Sequence, residues 1–150
     1  LFLTFFIMWP TFTQINENAI TPLDNGEITQ EEALDRAVEP IRNFMYGQTQ
    51  EKDLKLFCEI SDTTYEDYDD IPFVVLVPSF ILSELRTAFI IGVVIYIPFI
   101  VIDMVVSSVL MSMGMMMLPP TTISLPFKIL LFVLADGWNL VIGGLVKTFY

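Results

Sequence analysis

Residues 88–118 read AFIIGVVIYIPFIVIDMVVSSVLMSMGMMML, and Asp103 is the only charged residue in this stretch. A second apolar stretch, LPFKILLFVLADGWNLVIGGLV, covers residues 125–146 with Lys128 and Asp136 as its only charges. At the rise of an α-helix the two stretches measure about 46 Å and about 33 Å, against a bilayer core of about 30 Å. The second stretch therefore fits one membrane crossing, whereas the first is too long for a straight one.

Pro119 and Pro120 stand between these stretches and predict a turn, which we place at residues 115–124. Residues 71–150 then form a hydrophobic helical hairpin. Because its first arm is overlong, we expect that arm to tilt strongly, to break at Pro98, or to lie partly within a protein assembly.

The net charge of the chain comes from one block. Residues 14–70 hold 15 acids and 4 bases, which accounts for the whole net charge of −11. With 54% hydrophobic residues, the chain is neither a uniform soluble globule nor a disordered acidic chain. No basic stripe is present to neutralise phosphates, so we expect no nucleic-acid partner.

The composition also removes most kinds of catalytic site. The chain has no histidine and a single cysteine, Cys58, which excludes the common zinc sites, a histidine-based triad and a disulfide framework. It also lacks a Walker-type glycine-rich loop with lysine. We therefore predict a protein that is not an enzyme, with no catalytic residues, no metal site and no cofactor.

The acidic block reads as helical, which makes the predicted fold all-α. Thr29 and Glu32 have capping-box spacing for a helix that starts near Gln30, and apolar residues then recur at steps of three and four. Pro40 should kink or restart that helix. A second amphipathic helix is predicted from about 50 to 60.

Three segments follow from these patterns. Residues 1–12 are interpreted as the end of a truncated hydrophobic helix whose beginning lies outside the sequence. Residues 13–70 are predicted to form a small acidic helical domain, and residues 71–150 the hairpin. The positive-inside rule gives little orientation here, because the loop between the two apolar stretches carries no charge. Only the acidic block, which carries few bases, favours the extracytoplasmic side.

The charges of the hairpin predict contacts between subunits. Measured from a turn centred between the two prolines, Asp103 and Asp136 both lie about 25 Å along the arms, and Lys128 lies about 13 Å along. Lys128 would then miss both acids within one straight hairpin. A staggered neighbouring subunit would bring Lys128 to Asp103, so the spacing predicts an open helical oligomer.

Methionines concentrate beside the turn. Six of the eight methionines fall between Met104 and Met117, and Met115, Met116 and Met117 adjoin the diproline turn. Methionine is flexible and polarizable, which suits contact with surfaces of varying shape. The run predicts a deformable collar around a path used by different cargos.

Two other functional classes were compared with this interpretation. Asp103 and Asp136 come out level along the hairpin, as the paired carboxylates of an intramembrane aspartyl protease would. The order Leu-Ala-Asp-Gly, however, puts glycine on the wrong side of the aspartate for such an enzyme. The second class is a membrane-tethered sensor that reads ligands through the acidic domain.

Several long motifs resemble the FliP family, the export-gate subunits of the flagellar type III secretion apparatus. They are PSFILSELRTAF at 78–89, PFIVID at 98–103, MGMMMLPP at 113–120 and LPFKILLFVLADGW at 125–138. The opening LFLTFF is similar too. Related virulence-injectisome subunits share the hairpin, and we keep an injectisome subunit as the alternative.

The resemblance implies a gate of several copies with FliQ and FliR type partners, through which unfolded flagellar proteins are secreted. It implies that Met115, Met116 and Met117 form a gasket at the constriction. It also implies inter-subunit charge contacts at Glu84, Asp103 and Lys128. The implied location is the bacterial inner membrane, as a multi-pass protein of the flagellar basal body.

Overall fold

The structure is a computed structural model that describes residues 1–65, 67–114 and 117–150. All regular elements in these ranges are helical, which confirms the predicted all-α fold. They are α1 (Phe2–Ile15), a π-helical segment (Asn16–Ile20), α2 (Thr21–Asp24), α3 (Gln30–Gln48), α4 (Glu51–Ile60), a 3-10 turn (Tyr68–Asp70), α5 (Phe73–Ser112), α6 (Pro120–Leu134) and α7 (Gly137–Lys147).

The chain divides into two compact units, Leu1–Arg86 and Thr87–Tyr150. The first unit therefore extends past residue 70 and includes the part of α5 up to Arg86. Its buried core explains why, since Ile71, Val75 and Leu76 pack with Met45 of α3 and Leu54 of α4. The first turns of the long apolar helix thus complete the core of the acidic helical segment, residues 13–70, which we call the acidic module.

Local signals set the ends of the helices in this unit. The side chain of Thr29 accepts a hydrogen bond from the backbone N–H of Glu32, so the predicted cap at the start of α3 is present. The predicted second helix is α4, which begins one residue after its N-cap, Gln50. Pro40 is buried within α3 and does not restart the helix.

Arg42 fixes the chain where it enters α5. Its Nη1 atom donates to the carbonyl oxygens of Ile71 at 2.5 Å and Asp69 at 3.3 Å. Its guanidinium also lies 4.6 Å from the centre of the Phe73 ring, a cation–π distance. One basic side chain of α3 thereby holds the segment that links the acidic block to the apolar helix.

In the second unit, glycine and proline place the turn after α5. Gly114 has a φ of +73°, the left-handed conformation with which helices commonly end. Pro119 is the N-cap of α6, and Pro120 is its first residue, where its missing N–H has no helical acceptor to lose. The predicted turn at 115–124 is wrong at its end, because residues 120–124 are already helical.

The two apolar stretches also differ from expectation. Of the three alternatives for the first arm, the break at Pro98 is absent, because α5 is continuous past that residue. This helix is long and apolar enough to cross a membrane. The second stretch is not one straight span, because α6 and α7 are bent by 60°. Asp136 stands at this bend with a φ of +51°.

Candidate functional site

A charged cluster joins α5 and α6 in the second unit. Asp103 Oδ2 lies 2.8 Å from Lys128 Nζ, and Asp103 Oδ1 accepts a 2.6 Å hydrogen bond from Ser124 Oγ. Ser124 is fully buried, and its hydroxyl also lies 3.1 Å from the carbonyl oxygen of Thr121. Both oxygens of the carboxylate are therefore occupied within one chain.

This geometry overturns the spacing argument for a staggered neighbour. That argument counted the turn residues at the rise of a helix. Measured from the observed helix ends, Asp103 lies about 13 Å before Ser112, and Lys128 lies about 12 Å after Pro120. The two charges are level on adjacent arms, so their pairing needs no second subunit.

The contacts within this cluster explain how the apolar helices α5 and α6 can each carry a charged side chain. The side chains of Asp103 and Lys128 are 30% and 23% exposed, so both are largely removed from solvent. Charges within apolar segments are costly unless they are paired. Asp103 and Lys128 pair with each other, and the Ser124 hydroxyl binds the second carboxylate oxygen, so this requirement is met. The arrangement can therefore hold two helices in register.

Ser124 was not singled out from the sequence, although a signal for it exists. Ser124 and Lys128 are four residues apart, so they share one face of α6. A hydroxyl one turn before the only base of an apolar stretch is placed to contact the same partner. Asp103 receives both side chains.

The level-aspartate hypothesis is wrong in this structure. Lys128, not Asp136, stands against Asp103. Asp136 is the N-cap of α7, and its Oδ2 accepts a 3.1 Å hydrogen bond from Asn139 Nδ2. The physical reason is again the turn: counted from the observed helix ends, Asp103 lies about 13 Å before Ser112, whereas Asp136 lies about 24 Å after Pro120.

The other predicted residues are distributed over both units. Glu84 lies on the part of α5 that belongs to the first unit, and it is partly exposed. Met117 lies in the turn with an almost fully exposed side chain. Met115 and Met116 are outside the described residues.

A metal-binding interpretation has no support in the described ranges. Among residues 1–65, 67–114 and 117–150, no group of three or more cysteine, aspartate or glutamate side chains is arranged to hold a metal ion. The acids of the first unit are instead distributed over its helices and loops.

The comparison with known families decides the relationship of this chain. The sequence model of the FliP family matches residues 1–145. The chain belongs to the FliP family. The match covers α1 to α6 and all of α7 except its last two residues, so it includes both the acidic module and the Asp103 cluster.

Curated FliP relatives align along the full chain. The chain is 58% identical to the flagellar biosynthetic protein FliP of Bacillus subtilis, over 99% of this chain and 68% of the relative. It is 50% identical to that of Pectobacterium carotovorum, over 100% and 58%, and 52% identical to that of Treponema denticola, over 99% and 56%. This chain thus spans between about half and two thirds of these FliP proteins.

Proposed function

We propose that this FliP-family chain is part of a structural, non-enzymatic subunit of the flagellar type III protein-export gate. The observation that carries the proposal is the family match over residues 1–145, together with relatives that are named flagellar biosynthetic proteins. The long apolar helix α5 supports a location in the bacterial inner membrane, as a multi-pass protein of the flagellar basal body.

The proposed partners are further copies of the chain, FliQ and FliR type gate proteins, and unfolded flagellar cargo. Exposed apolar surface supports an assembled state, because contiguous apolar patches of this kind mark protein or membrane contacts. On α5 it includes Phe89, Val93, Tyr96 and Ile97, and on α6 and α7 it includes Leu130, Val133, Leu134 and Leu140.

A chimera tests the flagellar role directly. In a Bacillus subtilis strain without its own FliP, the region of that FliP matching this chain is replaced by residues 1–150. We expect the chimera to restore swimming and secretion of flagellar proteins, because the two sequences are 58% identical over this region. Swimming diameter and secreted flagellin are measured.

The matched control is the same strain with a chimera that carries Lys128→Asp, which would set two carboxylates side by side at the Asp103 cluster. A parent chimera that reaches the membrane and yet restores neither swimming nor secretion would refute the proposed function.

We further propose that Met115, Met116 and Met117 form a gasket that seals the closed gate against ions and yields to unfolded cargo. The exposed side chain of Met117 and its place between two helices support this role. Thioether side chains adapt to irregular surfaces, so a ring of them can close on itself and open around chains of different shape.

Replacing the three gasket methionines with alanine is expected to raise the ion leak through assembled gates, because each change removes most of a flexible side chain. Growth under salt stress and ion flux into vesicles measure the leak. The control variant replaces Met104 and Met111, which are exposed on α5 away from the turn. An unchanged seal in fully assembled gates of the triple variant would contradict the gasket.

The inter-subunit role of Glu84, Asp103 and Lys128 stays part of the proposal in a revised form. Asp103 and Lys128 pair within a subunit, and the exposed remainder of each side chain is available to a neighbour. Glu84 is partly exposed on α5 and is proposed as the contact of the first unit.

A further inference from the structure

A second buried charge lies in the first unit, on α4. Asp53 is 1% exposed, although it is an acidic residue in the first turn of a surface helix. Its Oδ1 lies 2.8 Å from Arg86 Nη2, and its Oδ2 accepts a 2.7 Å hydrogen bond from Ser83 Oγ. The carboxylate is therefore bound on both oxygens by residues of α5.

The backbone at the start of α4 extends this network. Ser83 Oγ accepts a 2.9 Å hydrogen bond from the N–H of Gln50, the N-cap of α4. The side-chain carbonyl of Gln50 lies 3.4 Å from Arg86 Nη1. The first turn of α4 is thus bound at two points to one face of α5.

Stability alone does not account for an ion pair whose carboxylate is buried and whose Arg86 side chain is 33% exposed. Apolar residues of similar volume commonly stabilise a core as well or better, because the pair loses hydration when it is buried. The best-attested benefit of such groups is that they select one register among several that apolar packing would accept. The sequence of α5 provides a reason to need that selection.

Two serines on α5 offer the same hydroxyl at neighbouring positions. Ser79 lies one turn before Ser83, and both are fully buried. Sliding α5 by one turn would bring Ser79 to Asp53 and place Leu82 where Arg86 now stands. A serine hydroxyl would therefore reach Asp53 in either register, whereas the guanidinium of Arg86 reaches it only in the observed one.

We propose that Asp53 and Arg86 are positioning residues that fix the register of α5 against the acidic module. The ion pair excludes the arrangement one turn away, in which a buried carboxylate would face leucine. It also determines which face of α5 is left uncovered, with Ile81 and Leu85 half exposed on it. The inference does not depend on the proposed function.

Crosslinking of cysteine pairs in the full-length protein measures this register. In a Cys58→Ser background, cysteines at 44 and 80 report the observed register, in which the two rings lie 6.2 Å apart. Cysteines at 44 and 76 report the slipped one. A short bismaleimide is the probe, and the ratio of the two crosslinked yields is the readout.

Removing both charges as Asp53→Leu with Arg86→Met is expected to lower that ratio at least about tenfold. The variant should still melt cooperatively, because apolar groups replace the pair. The control removes the exposed ion pair of the same helix, as Glu51→Gln with Lys55→Gln, and should leave the ratio unchanged. An unchanged ratio in the folded Asp53→Leu, Arg86→Met variant would overturn the inference.

A relocated cation tests the same point while Asp53 keeps a partner. Arg86→Met with Leu82→Arg places the guanidinium one turn earlier on α5. We expect the preferred crosslink to change from 44–80 to 44–76. Retention of the 44–80 crosslink would show that packing alone sets the register, and would refute the positioning role.

Discussion

Lys128→Met is expected to lower the denaturant concentration at which this protein unfolds. The change keeps a long apolar side chain and removes only the ammonium group. Asp103, whose side chain is 30% exposed, then keeps Ser124 as its remaining partner, and an unpaired charge in an apolar segment is costly. Chemical unfolding of the detergent-purified protein measures the difference.

The control for this prediction is Lys147→Met, in the last turn of α7, where the lysine is exposed. That variant should lie within about 0.5 kcal/mol of the parent protein. Adding Asp103→Asn to Lys128→Met should restore part of the lost stability, because the unpaired charge is then removed. Strict additivity of the two single changes would contradict a direct pair.

The parts of this fold that sequence predicts well are governed by neighbours in the chain. The start of α3 depends on Thr29 and Glu32, three residues apart. The positions of α3 and α4 follow from the period of their apolar residues. Such signals act over one or two turns, so they remain readable without knowledge of tertiary contacts.

The Asp103 site could be predicted only in part, because it depends on how two helices are placed and not on neighbours in the chain. The sequence marks Asp103 and Lys128 as costly charges in apolar segments. Whether they meet depends on how many residues the turn withdraws from the two helices. Turn residues advance the chain without helical rise, and the exact helix ends are the least readable feature of a sequence.

The contact between Asp53 and Arg86, which are distant in sequence, was not predicted at all. Asp53 and Arg86 are separated by a helix end, an acidic loop and the start of α5. Nothing local distinguishes Asp53 from the exposed acids around it, because its burial is decided by where α5 packs. The bend at Asp136 was missed because an aspartate in the left-handed conformation is uncommon, and Leu-Ala-Asp-Gly reads as part of a continuous apolar helix.

Gly137→Ala is expected to destabilise the bend between α6 and α7 by about 1 to 3 kcal/mol. Gly137 is buried as the first residue of α7, and a Cβ added there would lie 2.5 Å from Cε2 and 2.8 Å from Cγ of Phe132, and would also clash with Cδ2 of that ring. That ring is itself packed edge-on against Trp138, with centroids 5.2 Å apart. Relief of the clash therefore requires the Phe132 ring to move, which disturbs its contact with Trp138.

Gly144→Ala is the matched control, because it makes the same chemical change seven residues later in the same helix. A Cβ at Gly144 meets nothing within 4 Å, so alanine should raise stability by up to about 1 kcal/mol through its higher helix propensity. The two variants should thus change the unfolding midpoint in opposite directions. Adding Phe132→Ala should reduce the cost of Gly137→Ala, since the ring atoms nearest the new methyl group are then gone. Equal stability of the two alanine variants would mean that Gly137 is not held against the Phe132 ring, and that the bend has another cause.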